Sequence, residues 1–307
     1  MAIYHLSAKP VSRSAGRSAT AAAAYRSGTR IVDERTGEIH DYRRKRGVES
    51  VDIILPRGSD YEWASDRSRL WNAAELAEKR KDACVAREFV VALPFELSPS
   101  TRRQLALDFA QEMADREGCA VDVAIHAPGG DGDNRNHHAH ILRTTRKVEA
   151  EGLGDKLDTE KAGRRRVDDL QAVRASWANA CNLALERASV PDRVDHRSHR
   201  ARGIEVPPTV HLGPTITEME RRGVRTERGD VNRRAWRLRE LLQKLLEMKE
   251  ALQKRLAAVP KREPMAPAGI AHGFALVSPF ARRPGPPESI KPDEASPDPD
   301  PGTDFSP

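Results

Sequence analysis

Cysteine is scarce: the 307 residues hold three, Cys84, Cys119 and Cys181, far apart in the chain. That number and spacing exclude a disulfide framework and a cysteine-rich zinc site, and they fit a reducing compartment. Long apolar runs are missing as well. No stretch approaches the roughly 20 apolar residues of a membrane span, and the start, MAIYHLSAKPVSRS, lacks the apolar core of a secretory signal. The expectation is a cytoplasmic protein without membrane insertion. Acidic charge is in deficit, with 46 Asp and Glu against 52 Lys and Arg, a net charge of +6. From Pro260 onward five basic residues meet seven acids, so this tail carries −2 and the preceding body about +8. A basic body points to a polyanionic partner, most simply nucleic acid.

What is present is concentrated in one stretch, His126 to Arg146, HAPGGDGDNRNHHAHILRTTR, with four of the ten histidines. A β-rich run, AVDVAIH, leads into it and HHAHILRTT leads out; the Gly/Asp/Asn segment between them has the composition of a hairpin turn. Side chains two apart on a strand share a face, so His138 and His140 project together and His137 points the other way. A hairpin would bring His126 back beside them. Three imidazoles with an open position are a catalytic rather than a closed metal arrangement. The competing reading is surface histidines at the edge of a polar loop.

Ala2 to Ala8 alternates as a strand, expected to be internal. Next, an alanine-rich helix is predicted, capped at Ser14 or Ser18 and ended by Gly28. Tyr25 sits near its end among alanines, Arg26 and Ser27, like a single reactive group on a platform of small residues. Arg13, Arg17, Arg26 and Arg30 could line a phosphate path. IVDERTGEIHDY reads as a hairpin with a Thr-Gly turn, and Arg43 to Arg46 (RRKR) as either a solvated loop or a DNA contact. A helix from about Asp66 to Asp82, a buried strand from Arg87 to Pro94 and a helix capped at Ser98 or Ser100, running to about Glu117, precede the histidine hairpin. The order gives an α+β fold, helices packed on one central, mainly antiparallel sheet.

Gly152 to Arg166 reads as a polar loop, and Val167 to Ser189 as a long amphipathic helix whose apolar stripe, including Trp177 and Leu185, is core. His196, Arg197 and His211 suit structural hydrogen bonds and DNA contact better than a second metal site, and Arg221, Arg222, Arg225 and Arg228 suit phosphates. Asn232 to Ala258 is a leucine-rich helix, suited to docking or a short coiled coil. The segment from Pro260 holds 12 of the 21 prolines and reads as a disordered tail. The expected domains are residues 1–230 as the functional domain, 231–259 as a helical extension and 260–307 as the tail.

MAIYHLSAKPVSRSAGRSATAAAAYRSG resembles the N-terminus of the MobA/MobL family of plasmid mobilisation relaxases. The H-x-H element with its distant third histidine is similar to that of HUH-type DNA-nicking enzymes. D-H-R, H-L-G-P and E-M-E-R-R-G follow in the family's order, so the resemblance covers about residues 1 to 230. It implies a palm-like sheet with the histidines on central strands, and Tyr25 as the nucleophile that nicks DNA at a transfer origin. It also implies an acidic residue that orients a metal-binding histidine, which Glu88 matches; a rim salt bridge would explain Glu88 as well. The implied partners are single-stranded or supercoiled plasmid DNA at the origin, accessory mobilisation proteins and a coupling protein of a secretion channel. Some family members continue into primase or helicase-like regions, and the expectation here carries over no such activity.

A tyrosine hydroxyl titrates near 10 and is a poor nucleophile at neutral pH. A divalent metal, Mn²⁺ or Mg²⁺, on His126, His138 and His140 would offset charge on the scissile phosphate, and imidazole ligands favour Mn²⁺ of the two. Attack by Tyr25 would leave a 5′-phosphotyrosyl DNA, which keeps the bond energy for resealing. A rolling-circle replication initiator would share this chemistry, a metal-dependent hydrolytic nuclease would not need Tyr25, and a non-catalytic DNA-binding accessory protein would need neither Tyr25 nor the histidines.

Overall fold

A computed structural model of the chain describes residues 3–129, 134–161, 163–210 and 212–258. Its centre is a five-stranded sheet in the order β1-β5-β7-β6-β4, antiparallel at every pairing. The strands are β1 (Leu6–Ser12), β4 (Val48–Ile54), β5 (Cys84–Ala92), β6 (Val121–His126) and β7 (His138–Thr144). β2 (Arg30–Val32) and β3 (Ile39–Asp41) form the expected small hairpin. β8 (Arg146–Glu149) and β9 (Gly152–Lys156) form another. The helices are α1 (Ala19–Ser27), α2 (Glu62–Ser65), α3 (Arg67–Ala77), α4 (Pro99–Glu117), α5 (Arg164–Arg187), α6 (Gly213–Arg221) and α7 (Glu227–Ala257). This is the α+β architecture that the sequence predicts.

Period-two alternation gives the sheet two different faces. Phe89, Val91, Val121, Val123, Ile125, Ala139 and Ile141 pack against Leu105, Phe109 and Met113 of α4 and Trp177, Cys181 and Leu185 of α5. Residues paired across an antiparallel ladder share a face, and the registers Val90 with His140, Ala124 with His140 and His126 with His138 place these positions on the opposite side. That side is apolar at one end, where Val11, Ala86 and Leu142 meet Ala19 and Ala23 of α1 and Leu70, Trp71 and Ala74 of α3. At the other end it carries the histidines.

Several expectations need correction. The first strand is Leu6–Ser12 rather than Ala2 to Ala8, and it lies at an edge rather than inside. Pro10, within it, has no N–H to give a second neighbour, which confines the strand to an edge. β4, at the other edge, is hidden in the sequence because Glu49 and Asp52 interrupt its apolar residues. The stretch read as a loop from Gly152 begins with β9, and α5 starts at Arg164 rather than Val167. By internal contacts the chain divides into Met1–Leu241 and Leu242–Pro307, a break that falls within α7. No described helix is long and apolar enough to cross a membrane. The tail from Pro260 and His211 lie outside the described residues.

Candidate active site

α1 is built to lie close on the sheet. Ser18 caps it, its hydroxyl accepting from the Ala21 N–H at 3.0 Å, and Gly28 ends it in the left-handed region at φ 66°. Ala19, Ala22, Ala23 and Ala24 are buried, and their small side chains allow the close approach. Tyr25 projects outward, 48% exposed. Its neighbour Arg26 makes the connections to the sheet. The Arg26 carbonyl accepts a hydrogen bond from His126 Nε2 at 2.7 Å. The Arg26 guanidinium donates to the Ala22 carbonyl at 2.8 Å and to the Glu88 carboxylate.

Glu88 is buried, 3% exposed, and its Oε1 also accepts from His140 Nδ1 at 2.8 Å. Burial raises its pKa, but the hydrogen bonds from His140 and Arg26, with the Arg26 charge, outweigh burial and hold it at about 2. Glu88 is therefore an ionised carboxylate inside the structure rather than a rim residue. It ties the tyrosine helix to the second histidine of the H-x-H pair.

His126, His138 and His140 converge as the hairpin reading expects. Ring centroids lie 5.4 Å apart for His126 and His138, 4.6 Å for His126 and His140, and 5.2 Å for His138 and His140. One ring nitrogen of each lies within 4.8 Å of the others. Each ring also meets an oxygen acceptor: the Arg26 carbonyl, the Asn136 carbonyl at 2.9 Å from His138 Nδ1, and the Glu88 carboxylate. These oxygens take an N–H from each ring, which leaves the other nitrogen of a neutral imidazole with its lone pair free. Burial pushes His126 down to about 4, helped by Lys45 and the other two imidazoles and opposed by the bond to Arg26. His138 is lowered too, first by burial. At neutral pH His126 and His138 are thus neutral, as metal ligands must be. The donor set fits a divalent cation. His137 lies off this face, its Nδ1 3.8 Å from Glu49.

Beside α1 opens a cleft of about 870 Å³ whose walls include Tyr25, Arg26, Arg17, Arg35, Lys79 and Lys81, against the three acids Asp33, Glu38 and Glu78, a balance that stays basic. None of the three histidines lines it, so Tyr25 and Arg26 stand where a basic cleft adjoins the histidine cluster. Arg13 lines the cleft too, but its guanidinium is already engaged by Glu75 and by the Glu78 and Arg80 carbonyls. Arg197 pairs with Asp195 at 2.8 Å, and His196 Nδ1 lies 3.9 Å from the same carboxylate. Lys45, in the RRKR cluster read as a solvated loop or a DNA contact, has a place that sequence reasoning missed. Its Nζ sits 3.7 Å from the Tyr25 ring centroid and donates to the Tyr25 carbonyl at 2.8 Å. Tyr42 meets the same ring edge-on at 5.2 Å. Burial, then the Arg26 charge, lowers Lys45 to about 8.

The MobA/MobL family profile matches residues 17–222. The chain is 46% identical over 248 residues to the mobilization protein MobL of Acidithiobacillus ferridurans, covering 72% of this chain and 65% of that one. It is 37% identical over 283 residues to a probable mobilization protein MobA of Bifidobacterium longum, covering 79% and 48%. The chain thus spans about two thirds of the length of the first of these relatives and about half of the second. A solved structure described as the molecular basis of vancomycin resistance transfer in Staphylococcus aureus is 33% identical, with a TM-score of 0.56 over 64% of this chain and all of that one. By the extent of the family match and by the segments that carry it, the chain belongs to the MobA/MobL family.

Proposed function

We propose that this chain is a relaxase, nicking one strand of plasmid DNA at a transfer origin and later rejoining it, for conjugative mobilisation. One observation carries the reading: the residue after Tyr25 is bonded to two of the three converging histidines, directly at His126 and through Glu88 at His140. A nucleophile helix locked onto a three-imidazole cluster suits phosphoryl transfer, where positioning and charge supply most of the catalysis. Membership of a family of mobilisation proteins supports it.

His126, His138 and His140 would hold a divalent metal, Mn²⁺ or Mg²⁺, which when bound supplies Lewis-acid charge for the scissile phosphate. The chain's own residues do the rest. Glu88 and the Arg26 and Asn136 carbonyls fix the three rings in one tautomer and orientation each. Lys45, over its face, and Tyr42, perpendicular to it, hold the Tyr25 ring. The basic cleft beside α1 receives the strand. The Tyr25 oxygen attacks phosphorus, the bond to the 3′ oxygen breaks, and the phenol proton ends on that oxygen. The products are a 5′-phosphotyrosyl link and a free 3′-OH; the reverse reaction reseals the strand.

The setting that follows is the cytoplasm of a bacterial donor, with accessory mobilisation proteins at the origin and a coupling protein at a secretion channel. The test is incubation with Mn²⁺ or Mg²⁺ and a labelled single strand carrying the origin, resolved on denaturing gels beside Tyr25→Phe. A metal-dependent covalent adduct, absent from Tyr25→Phe, is expected. Cleavage without an adduct, unchanged in Tyr25→Phe, would make the chain a hydrolytic nuclease.

A further inference from the structure

Residues 221–239 hold eight arginines against two acids, Glu227 and Asp230. Four are neutralised locally: Arg221 and Arg222 pair with Glu218 at 3.7 and 2.9 Å, Arg225 with Asp230 at 3.2 Å, and Arg233 with Asp230 at 2.8 Å. Arg228, Arg234, Arg237 and Arg239 have no ion pair or hydrogen bond among the described residues, and all four are exposed. Arg234 and Arg237 line a hollow of about 350 Å³ with Arg225, Arg233 and Asp230, four guanidinium groups around one carboxylate already in use.

The helix explains why the charge faces outward. Gly229, Asn232 and Ala235 of α7 are buried, so this part of the helix turns its small residues inward and its arginines to solvent. Four guanidinium groups without an ion-pair partner raise the local potential at a cost in self-repulsion. From Arg228 to Arg239 the helix rises about 16 Å at 1.5 Å per residue, room for about five base pairs at 3.4 Å each. Guanidinium forks match phosphate oxygens bidentately. The more extended apolar row of α7 starts only at Leu238, and Val231 and Trp236 are the exposed large apolar residues before it, which disfavours a bilayer as the partner. Arg234, Arg237 and Arg239 lie beyond residue 222, where the family match ends, so membership of the family does not assign them.

We propose that this arginine face is a second nucleic-acid site, which grips the phosphate backbone without reading bases, apart from the residues that carry the nick. It rests on the relaxase reading only in taking DNA as the ligand. The test uses the full chain carrying Tyr25→Phe, so that nothing is cleaved, with and without Arg234→Gln and Arg237→Gln. Anisotropy binding to an arbitrary duplex of about 30 base pairs, and to one of its strands, is followed from about 50 to 200 mM salt. The double substitution should weaken binding roughly tenfold and lower the slope of log affinity against log salt by about 2. A slope change confined to the duplex assigns the face to duplex DNA, and one confined to the single strand assigns it to the displaced strand. Arg234→Lys with Arg237→Lys should retain most of the affinity. An unchanged slope in the Gln pair, or an equal loss in the Lys pair, overturns the proposal. So does intact DNA binding with lost binding to phosphatidylserine vesicles. The covalent-adduct assay reads the other site: an adduct with an unchanged slope sinks this inference alone, and a lowered slope without an adduct sinks the relaxase reading alone.

Discussion

Glu88 is the residue on which the geometry of the candidate site converges, since one oxygen accepts from both His140 and Arg26. Replacing it with Gln removes the negative charge and leaves His140 and Arg26 sharing one neutral, weaker amide acceptor, so the His140 ring is held less firmly. Removing such partners typically costs 10–100-fold in metal affinity, so Glu88→Gln should weaken Mn²⁺ binding by about that factor in a calorimetric titration; an unchanged affinity would reduce Glu88 to a structural ion pair. His126 sets a pH dependence. Its pKa is about 4 in the folded chain against about 6.5 unfolded. The unfolded state therefore takes up the proton first. The contribution of a neutral His126 is fully present above about pH 6.5 and declines as pH falls towards about 4. The loss is of order 3 kcal/mol at most. Urea midpoints in chelator should drop between pH 7 and 5, and His126→Asn should flatten part of that drop.

At the scale of elements, α1 and the β6–β7 pair make the site. Gly28 ends α1 at φ 66°, and a Cβ there would meet Val48 of β4 at 3.4 Å. Gly28→Ala should therefore cost about 1–2 kcal/mol for the left-handed backbone, read as a lower urea midpoint, and should slow nicking by shifting Tyr25; unchanged stability would contradict this role. These two elements were legible in the sequence. The H-x-H spacing puts both rings on one face, the Gly/Asp/Asn turn brings back the third, and an alanine run ended by glycine reads as a helix. Lys45 was not legible, because its place over Tyr25 depends on the chain folding back from β3 into β4, and β4 is masked by Glu49 and Asp52. β1 at the edge follows from Pro10, a signal present in the sequence but outweighed there by alternation. Glu88 could be named from family resemblance, yet its burial and its two donors come from the register of β5 on β7.

For the whole molecule, one antiparallel sheet separates two tasks. The face against α4 and α5 is apolar and anchors the fold, while the other combines a small-residue core with the histidine cluster and the basic cleft. The separation lets α1 lie flat enough on the sheet for its Tyr25–Arg26 end to reach the histidines while the tyrosine stays accessible. The most direct test of that arrangement is where DNA becomes attached. After reaction with origin DNA and metal, nuclease trimming and trypsin digestion would release the peptide from Ser18 to Arg26, in which Tyr25 is the sole tyrosine. Tandem mass spectrometry is expected to find the nucleotide phosphate on Tyr25. A phosphate on any other residue, or a nick that leaves no nucleotide on the protein, would contradict the account.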